Sequence, residues 1–300
     1  MLDQPQLLEY DGTGLYTQLV QLPKSYIGPT QVRSGPFSGL AFGEASLALH
    51  MCEDWINVGF SPAASGTQLI LSGGLDFGES ASWIDIAEAR GCTPLRVGVG
   101  PLEDLSFLVP AGPLSTYHYV QYLAHLTGNS EHVEEADQAL LELSEKCRHE
   151  NTTENNPAKQ LAWKLWTRTP LILASRDVRP LSWGWQQLLA RVGKSMSYAL
   201  DREPLVLLSG GFEARHESGD EQVGLVIGTL DEEMELCREI LETRVDEVLE
   251  VCAPHGLGDH AARLYLWYLG VWTSFYLALA YGKDPGDSDV LKMLQSPQDS

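Results

Sequence analysis

The chain has 300 residues, 44% of them hydrophobic, which is enough for two packed domains rather than one. Its Lys and Arg number 20 against 41 Asp and Glu, and the resulting formal charge of −21 repels nucleic acid and anionic membrane surfaces. No apolar run is long enough to span a bilayer, and the opening Met1-Leu2-Asp3-Gln4-Pro5 lacks the basic-then-apolar pattern of an export signal, so the expectation is a cytoplasmic protein.

The segment to about Gln31 is rich in turn residues and reads as an N-terminal arm with room for one helix. From there the pattern becomes regular. Leu40-Ala41-Phe42 is a short apolar run closed by Gly43, and helical spacing follows from Ser46 to Trp55. Gln68 to Leu71 reads as a buried strand ending in Ser72-Gly73-Gly74. Glu79 to Arg90 is amphipathic, with Trp83, Ile86 and Ala87 on one face and Gly91 as its stop. A strand over Leu95 to Val99 and helices over Tyr117 to Leu126 and Val133 to Cys147 complete the first half.

The polar, aperiodic run Arg148 to Asn155 marks a domain boundary, giving an arm over 1–31 and domains over 32–150 and 151–300. The second half repeats the rhythm. Asn156 caps a helix with Pro157 at its first position. Strands are predicted at Leu171 to Ala174, at Leu205 to Leu208 before Ser209-Gly210-Gly211, at Gly224 to Ile227 and at Val248 to Cys252. Helices are predicted over Trp183 to Ser195, over Asp231 to Thr243 as an acidic solvated face, and over the long apolar stretch Asp259 to Tyr281. Strand alternating with helix at this spacing predicts an α/β protein with parallel sheets. The five cysteines, Cys52, Cys92, Cys147, Cys237 and Cys252, form no C-x-x-C pair and read as buried free thiols. His255 and His260, five apart with Asp259 between, read as a loop before a helix cap rather than a metal site. The tryptophans, several at helical spacing, read as core or as a dimer interface.

Two segments carry a resemblance: Asn155-Asn156-Pro157-Ala158-Lys159-Gln160-Leu161-Ala162, and Tyr268 to Ala278 followed by Gly282-Lys283-Asp284-Pro285. They resemble the start of the second domain and the terminal helix of the bifunctional phosphoglucose/phosphomannose isomerase family, and the order of elements between them is similar too. The resemblance implies two SIS domains, each a flavodoxin-like parallel sheet in an αβα sandwich. It also implies a homodimer and the interconversion of glucose 6-phosphate or mannose 6-phosphate with fructose 6-phosphate, with no metal or other cofactor.

Such isomerisation needs a group to open the sugar ring, a base to move a proton between C1 and C2, and a cradle of N–H and O–H donors for the phosphate. The family's two phosphate turns fall at Gly43-Glu44-Ala45-Ser46 and near Ser72-Gly73, with Ser80 and Ser82 as further hydroxyls. Glu44 puts a carboxylate at one of them. The family's Pro-Arg falls at Gly112-Pro113-Leu114-Ser115, where the arginine is absent. Its Glu-containing segment falls at Ala190 to Lys194, where Lys194 matches but Arg191 replaces the acid, and its late lysine falls near Lys292 or Gln295, the simple register giving Gln295. The nearest echo of its His-Asn-Glu is Glu213-Ala214-Arg215-His216-Glu217. His216 is the acid/base candidate, Glu213 or Glu217 the replacement carboxylate, and Arg215 and Lys194 accompany them. An isomerase with rearranged catalytic groups is one expectation. A non-catalytic SIS protein that binds a sugar phosphate or another carbohydrate derivative is the other.

Overall fold

The structure is a computed structural model and describes residues 1–60, 66–73, 79–99, 105–200 and 220–288. The chain forms two compact units, one of Lys24–Glu135 and one of Met1–Pro23 with Ala136–Asp287. This grouping differs from a division at 31 and 150: the first 23 residues and the segment 136–150 pack with the later half. The polar run after Cys147 forms a turn, with Asn151 N donating to Arg148 O at 3.1 Å, and contacts rather than chain order define the unit.

The first unit holds a five-stranded parallel sheet. Its strands are β1 (Phe37–Phe42), β2 (Asn57–Val58), β3 (Thr67–Ser72), β4 (Thr93–Gly98) and β5 (Phe107–Leu108), in the spatial order β2-β1-β3-β4-β5. This 2-1-3-4-5 order is the flavodoxin-like arrangement, and it reverses direction between β1 and β3. Leu69, Ile70 and Leu71 are fully buried, as expected of a central strand covered on both faces. Around the sheet lie α2 (Ala45–Met51), α3 (Glu79–Ala89) and α4 (Ser115–Leu126). Helix α2 runs shorter than the predicted 46–55, ending in turns from Cys52. On α3 the buried side chains are Ser80 and Ala87, while Ile86 is exposed and Trp83 half-buried, so the helix is rotated from the face that apolarity alone selects.

The second unit opens with a short 3-10 helix, Pro5–Tyr10, and α1 (Leu15–Gln21). Helix α5 (Glu131–Cys147) leads into it, with Ala136, Leu140, Leu143 and Cys147 forming its buried stripe. Then come α6 (Pro157–Leu165), β6 (Thr169–Ala174), α7 (Leu181–Arg191), β7 (Tyr198–Ala199), β8 (Gln222–Ile227), α8 (Glu232–Glu242), β9 (Glu247–Val251) and α9 (Asp259–Ala280). Among the described residues the strands form a parallel sheet in the order β7-β6-β8-β9. The strand predicted at Leu205 to Leu208, with its Ser-Gly-Gly, lies outside the described residues.

Local chemistry sets the helix ends. Asn156 Oδ1 accepts from Lys159 N at 3.0 Å, and Asp231 Oδ1 accepts from Met234 N at 2.9 Å, the side-chain caps expected of those residue types. Helix α8 buries Met234, Cys237 and Leu241 against Leu171, Leu173 and Val226 and turns its acids to solvent. Helix α9 is buried almost throughout, and its Gly270 permits the close approach of α7: a Cβ there would stand 2.7 Å from Trp185 Cε2. Trp185, Trp267 and Trp272 are fully buried, whereas Trp163 is exposed and stacks on Trp166 at 5.4 Å. Among the described residues no helix is long and apolar enough to cross a membrane.

A polar knot ties the N-terminal segment to this unit. Lys159 is fully buried, and its Nζ donates to Asp3 Oδ1 at 3.0 Å, His149 O at 2.9 Å and Asn151 O at 2.8 Å, 5.5 Å from the centre of the Tyr276 ring. A buried ammonium is tolerable only when its donors are matched and its charge is compensated. Asp3, which also accepts from Thr153 N and Oγ1, supplies the charge.

Candidate active site

Open parallel sheets bind ligands beyond the carboxyl ends of their strands, where the strand order reverses. In the first unit that point lies between β1 and β3. β1 leaves through Gly43, whose φ of 58° is a conformation that favours glycine, and the chain turns at once into α2. β3 leaves through Ser72 and Gly73. Gly73 N donates to Phe42 O at 2.9 Å, and a Cβ on Gly73 would stand 2.4 Å from Glu44 N and 2.7 Å from Ala45 N. The two turns therefore meet backbone to backbone, an approach that only glycine allows.

The sequence-predicted phosphate residues fall into three groups. Gly43, Ser46, Ser72 and Gly73 belong to the two turns that meet. Ser46 Oγ donates to Ala41 O at 3.1 Å, and Ser46 O lies 2.8 Å from His50 Nδ1. The Ser72 carbonyl accepts from Tyr119 OH at 2.5 Å and from Val99 N at 3.2 Å, while its fully buried hydroxyl has no hydrogen-bond partner. Ser80, in the first turn of α3, is also fully buried, and its oxygen accepts from Arg96 Nη2 at 2.8 Å. Ser82 is exposed on α3. Glu44 is the N-cap residue of α2, and its side chain makes no capping hydrogen bond.

Of the proposed catalytic group, Glu213, Arg215, His216 and Glu217 lie outside the described residues. Lys194 closes α7 with a φ of 57°, and its Nζ donates to Arg191 O at 2.7 Å and to Asp287 O. Its ammonium thus bridges a helix end and the segment after α9. Burial pulls the Arg191 guanidinium down to about 10. Gly112 to Ser115 leads into α4, whose buried His118 is pulled down to about 4 by desolvation and so stays neutral at physiological pH. Among the described residues no three His, Cys, Asp or Glu side chains gather as a metal site; His255 is exposed and His260 buried.

The second sheet has a reversal point that sequence reasoning missed, because the Ser-Gly-Gly at Ser209 is the more conspicuous turn. Among the described residues it lies between β6 and β8, at Ser175 and Gly228. Ser175 N donates to Ile227 O at 2.8 Å and Ser175 Oγ to Asp177 Oδ1 at 2.5 Å. Gly228 has a φ of 95°, and a Cβ there would stand 2.0 Å from Ser175 Oγ. Arg263 Nε donates to Asp177 O at 2.9 Å, and Cys252 Sγ to Gly228 O at 3.2 Å. Cys252 is exposed, unlike the other four cysteines; burial of its sulfur, Glu250 and Asp177 push the thiol upward, away from the reactive thiolate. The readable signal was a strand ending in Ala-Ser followed by a strand ending in Ile-Gly.

Residues 15–128 match the model of the phosphoglucose isomerase N-terminal domain, and residues 154–296 match that of the bacterial phospho-glucose isomerase C-terminal SIS domain. The crystal structure of a glucose-6-phosphate isomerase like protein from Thermus thermophilus is 35% identical, with a TM-score of 0.85, and each chain covers 98% of the other. The chain belongs to the phosphoglucose isomerase family. Within that family the bifunctional phosphoglucose/phosphomannose isomerase of Caldicellulosiruptor bescii is 27% identical over 177 residues, 55% of this chain, which spans about half the length of that curated relative. The C-terminal domain of glucosamine-fructose-6-phosphate aminotransferase from Francisella tularensis, 10% identical with a TM-score of 0.57 over 94% of this chain and 96% of its own, shares the fold. The expected two-SIS-domain α/β architecture of a sugar-phosphate isomerase-like protein is therefore what the chain has.

Proposed function

We propose that the protein catalyses aldose–ketose isomerisation of a hexose 6-phosphate, interconverting glucose 6-phosphate or mannose 6-phosphate with fructose 6-phosphate, as a cytoplasmic homodimer. The observation that carries this reading is the glycine-on-glycine meeting of Gly43 and Gly73 at the reversal of a 2-1-3-4-5 sheet, in a chain of this family. Close backbone approach is what a phosphate-binding turn requires, because peptide N–H groups can then face the anion without a side chain intervening. In this reading Gly43, Ser46, Ser72, Gly73, Ser80 and Ser82 form the phosphate region. His216 acts as acid/base, Glu213 or Glu217 as carboxylate, and Arg215 and Lys194 supply positive charge.

A second reading is favoured by two specific residues. Leu114 stands where the family pattern places an arginine, and Arg191 where it places an acid. A protein lacking both fits a binder of sugar phosphates that does not turn them over.

A coupled assay of fructose 6-phosphate conversion, run with a chelator present, separates the two. Turnover at least about 100-fold above that of His216→Ala is expected for the isomerase. Ligand-dependent stabilisation by fructose 6-phosphate without turnover selects the binder. Absence of both removes the sugar-phosphate reading.

A further inference from the structure

We infer that Arg96 and Tyr119 are positioning residues of the phosphate region, acting through Ser80 and Ser72; the inference rests on the ligand reading proposed above. Neither residue belongs to the two glycine turns. Arg96 sits on β4, paired with Ile70 of β3, and reaches the first turn of α3, where its Nη2 donates to Ser80 Oγ at 2.8 Å. Tyr119 comes from α4, and its phenol donates to Ser72 O at 2.5 Å.

The donors and acceptors these groups carry set the direction of each bond. A serine hydroxyl has one donor and two acceptor lone pairs, whereas a guanidinium only donates. With Arg96 in place Ser80 is therefore an acceptor toward it, and its own proton is left over. That proton is directed away from Arg96, toward whatever acceptor faces the first turn of α3. Tyr119 and Val99 both occupy the Ser72 carbonyl, and the Ser72 hydroxyl is buried without a partner. Two fully buried serines, one ending β3 and one opening α3, thus each retain a hydroxyl proton. A buried donor without an acceptor is destabilising, because it has lost its water and gained no partner. Phosphate oxygens are the kind of acceptor that recovers that cost.

Charge points the same way. The chain carries −21, and Glu44 adds a carboxylate beside the first turn. Arg96 is the cation held against the first turn of α3, the helix end whose dipole favours anions.

The test is steady-state kinetics with fructose 6-phosphate, with calorimetric affinity for the same ligand replacing KM if turnover is absent. Arg96→Met is expected to raise KM at least about 10-fold and Tyr119→Phe about 3-fold, with kcat changed less than about 2-fold, the pattern of lost uniform binding. Arg96→Lys, which keeps a donor and a charge, recovers most of the loss. The decisive comparison is a cycle with Ser80→Ala: if Arg96 acts through Ser80, Arg96→Met adds little on that background. Full additivity, or an unchanged KM in Arg96→Met, overturns the inference. A purely structural role appears as a lower melting temperature with KM intact, which also overturns it. A wild-type protein that neither turns over nor binds fructose 6-phosphate or inorganic phosphate removes the functional reading and this inference together. Wild-type binding with unaffected variants removes this inference alone.

Discussion

The two sheets reverse direction at equivalent places and treat those places oppositely. Between β1 and β3 the chain exits through Gly43 and Gly73, and among the described residues these two turns meet backbone to backbone. Between β6 and β8 the turn carries side-chain hydrogen bonds: Ser175 bonded to Asp177, Asp177 O held by Arg263, and the Cys252 thiol on Gly228 O. At the first reversal point Gly43 is exposed and Gly73 buried, and at the second a local hydrogen-bond network joins Ser175, Asp177, Arg263, Cys252 and Gly228. The two reversal points thus differ in the groups beside the turn: backbone at Gly43 and Gly73, side-chain hydrogen bonds at Ser175 and Gly228.

The comparison can be broken at each joint. The largest effect is expected from Gly228→Ala, since its Cβ would stand 2.0 Å from Ser175 Oγ and 2.5 Å from Val178 Cγ2 at a φ of 95°. Denaturant unfolding should show a loss of about 3 kcal/mol, and ligand affinity of the surviving native protein should be unchanged. If affinity falls instead, the second reversal point is not merely a joint. Gly73→Ala comes next. Its Cβ would meet backbone atoms of Glu44 and Ala45, so the turns must separate, costing about 1–3 kcal/mol and lowering fructose 6-phosphate affinity at least about 10-fold. Stability loss with intact affinity would argue that the first reversal point holds no phosphate.

The smallest effect concerns the polar knot of the second unit. Asp3→Asn leaves the buried Lys159 ammonium without its counter-charge and should cost about 1–2 kcal/mol at pH 7, moderated because Asp3 is half-exposed. Partial desolvation pushes the Asp3 carboxyl up, but hydrogen bonds from Lys159 and Thr153 outweigh it and hold the group below its ordinary 3.8. A depressed folded value means that this stability is present above pH 3.8 and is lost as pH falls through the folded value. Asp3→Asn should therefore flatten that part of the acid unfolding curve, and Lys159→Met should restore stability in the double variant. An unchanged acid limb would show that the pair contributes nothing there.

Much of this fold was legible because buried strands and capped helices write local signals. Leu69-Ile70-Leu71 and Leu171-Ile172-Leu173 are continuous apolar runs of strand length, and Asn156-Pro157 and Asp231 are caps whose chemistry is local. The two-residue strands β2, β5 and β7 left no such trace, since a pair of residues has no periodicity and joins the sheet only through its neighbour's register. The rotation of α3 was missed because Ser80 is buried by its bond to Arg96, a partner 16 residues away, while Ile86 faces solvent. At the site, Gly43 and Gly73 were readable as turn residues, but Arg96 and Tyr119 were not. Each looks like an ordinary strand or helix residue until the sheet brings it to a serine.

Element types, the repeated strand–helix rhythm, the family and the turns where a ligand is expected are written in the order of the residues. These depend on interactions within a few residues or on patterns carried intact along the chain. Tertiary structure alone decided which segments pack together, so that Met1–Pro23 joins the later half through Asp3 and Lys159, 156 positions apart. It also decided that Gly43 and Gly73 meet backbone to backbone while Ser175 and Gly228 are joined through side-chain hydrogen bonds. A hydrogen bond or a close backbone approach is set by distance in space, and distance along the chain does not encode it until the sheet has formed.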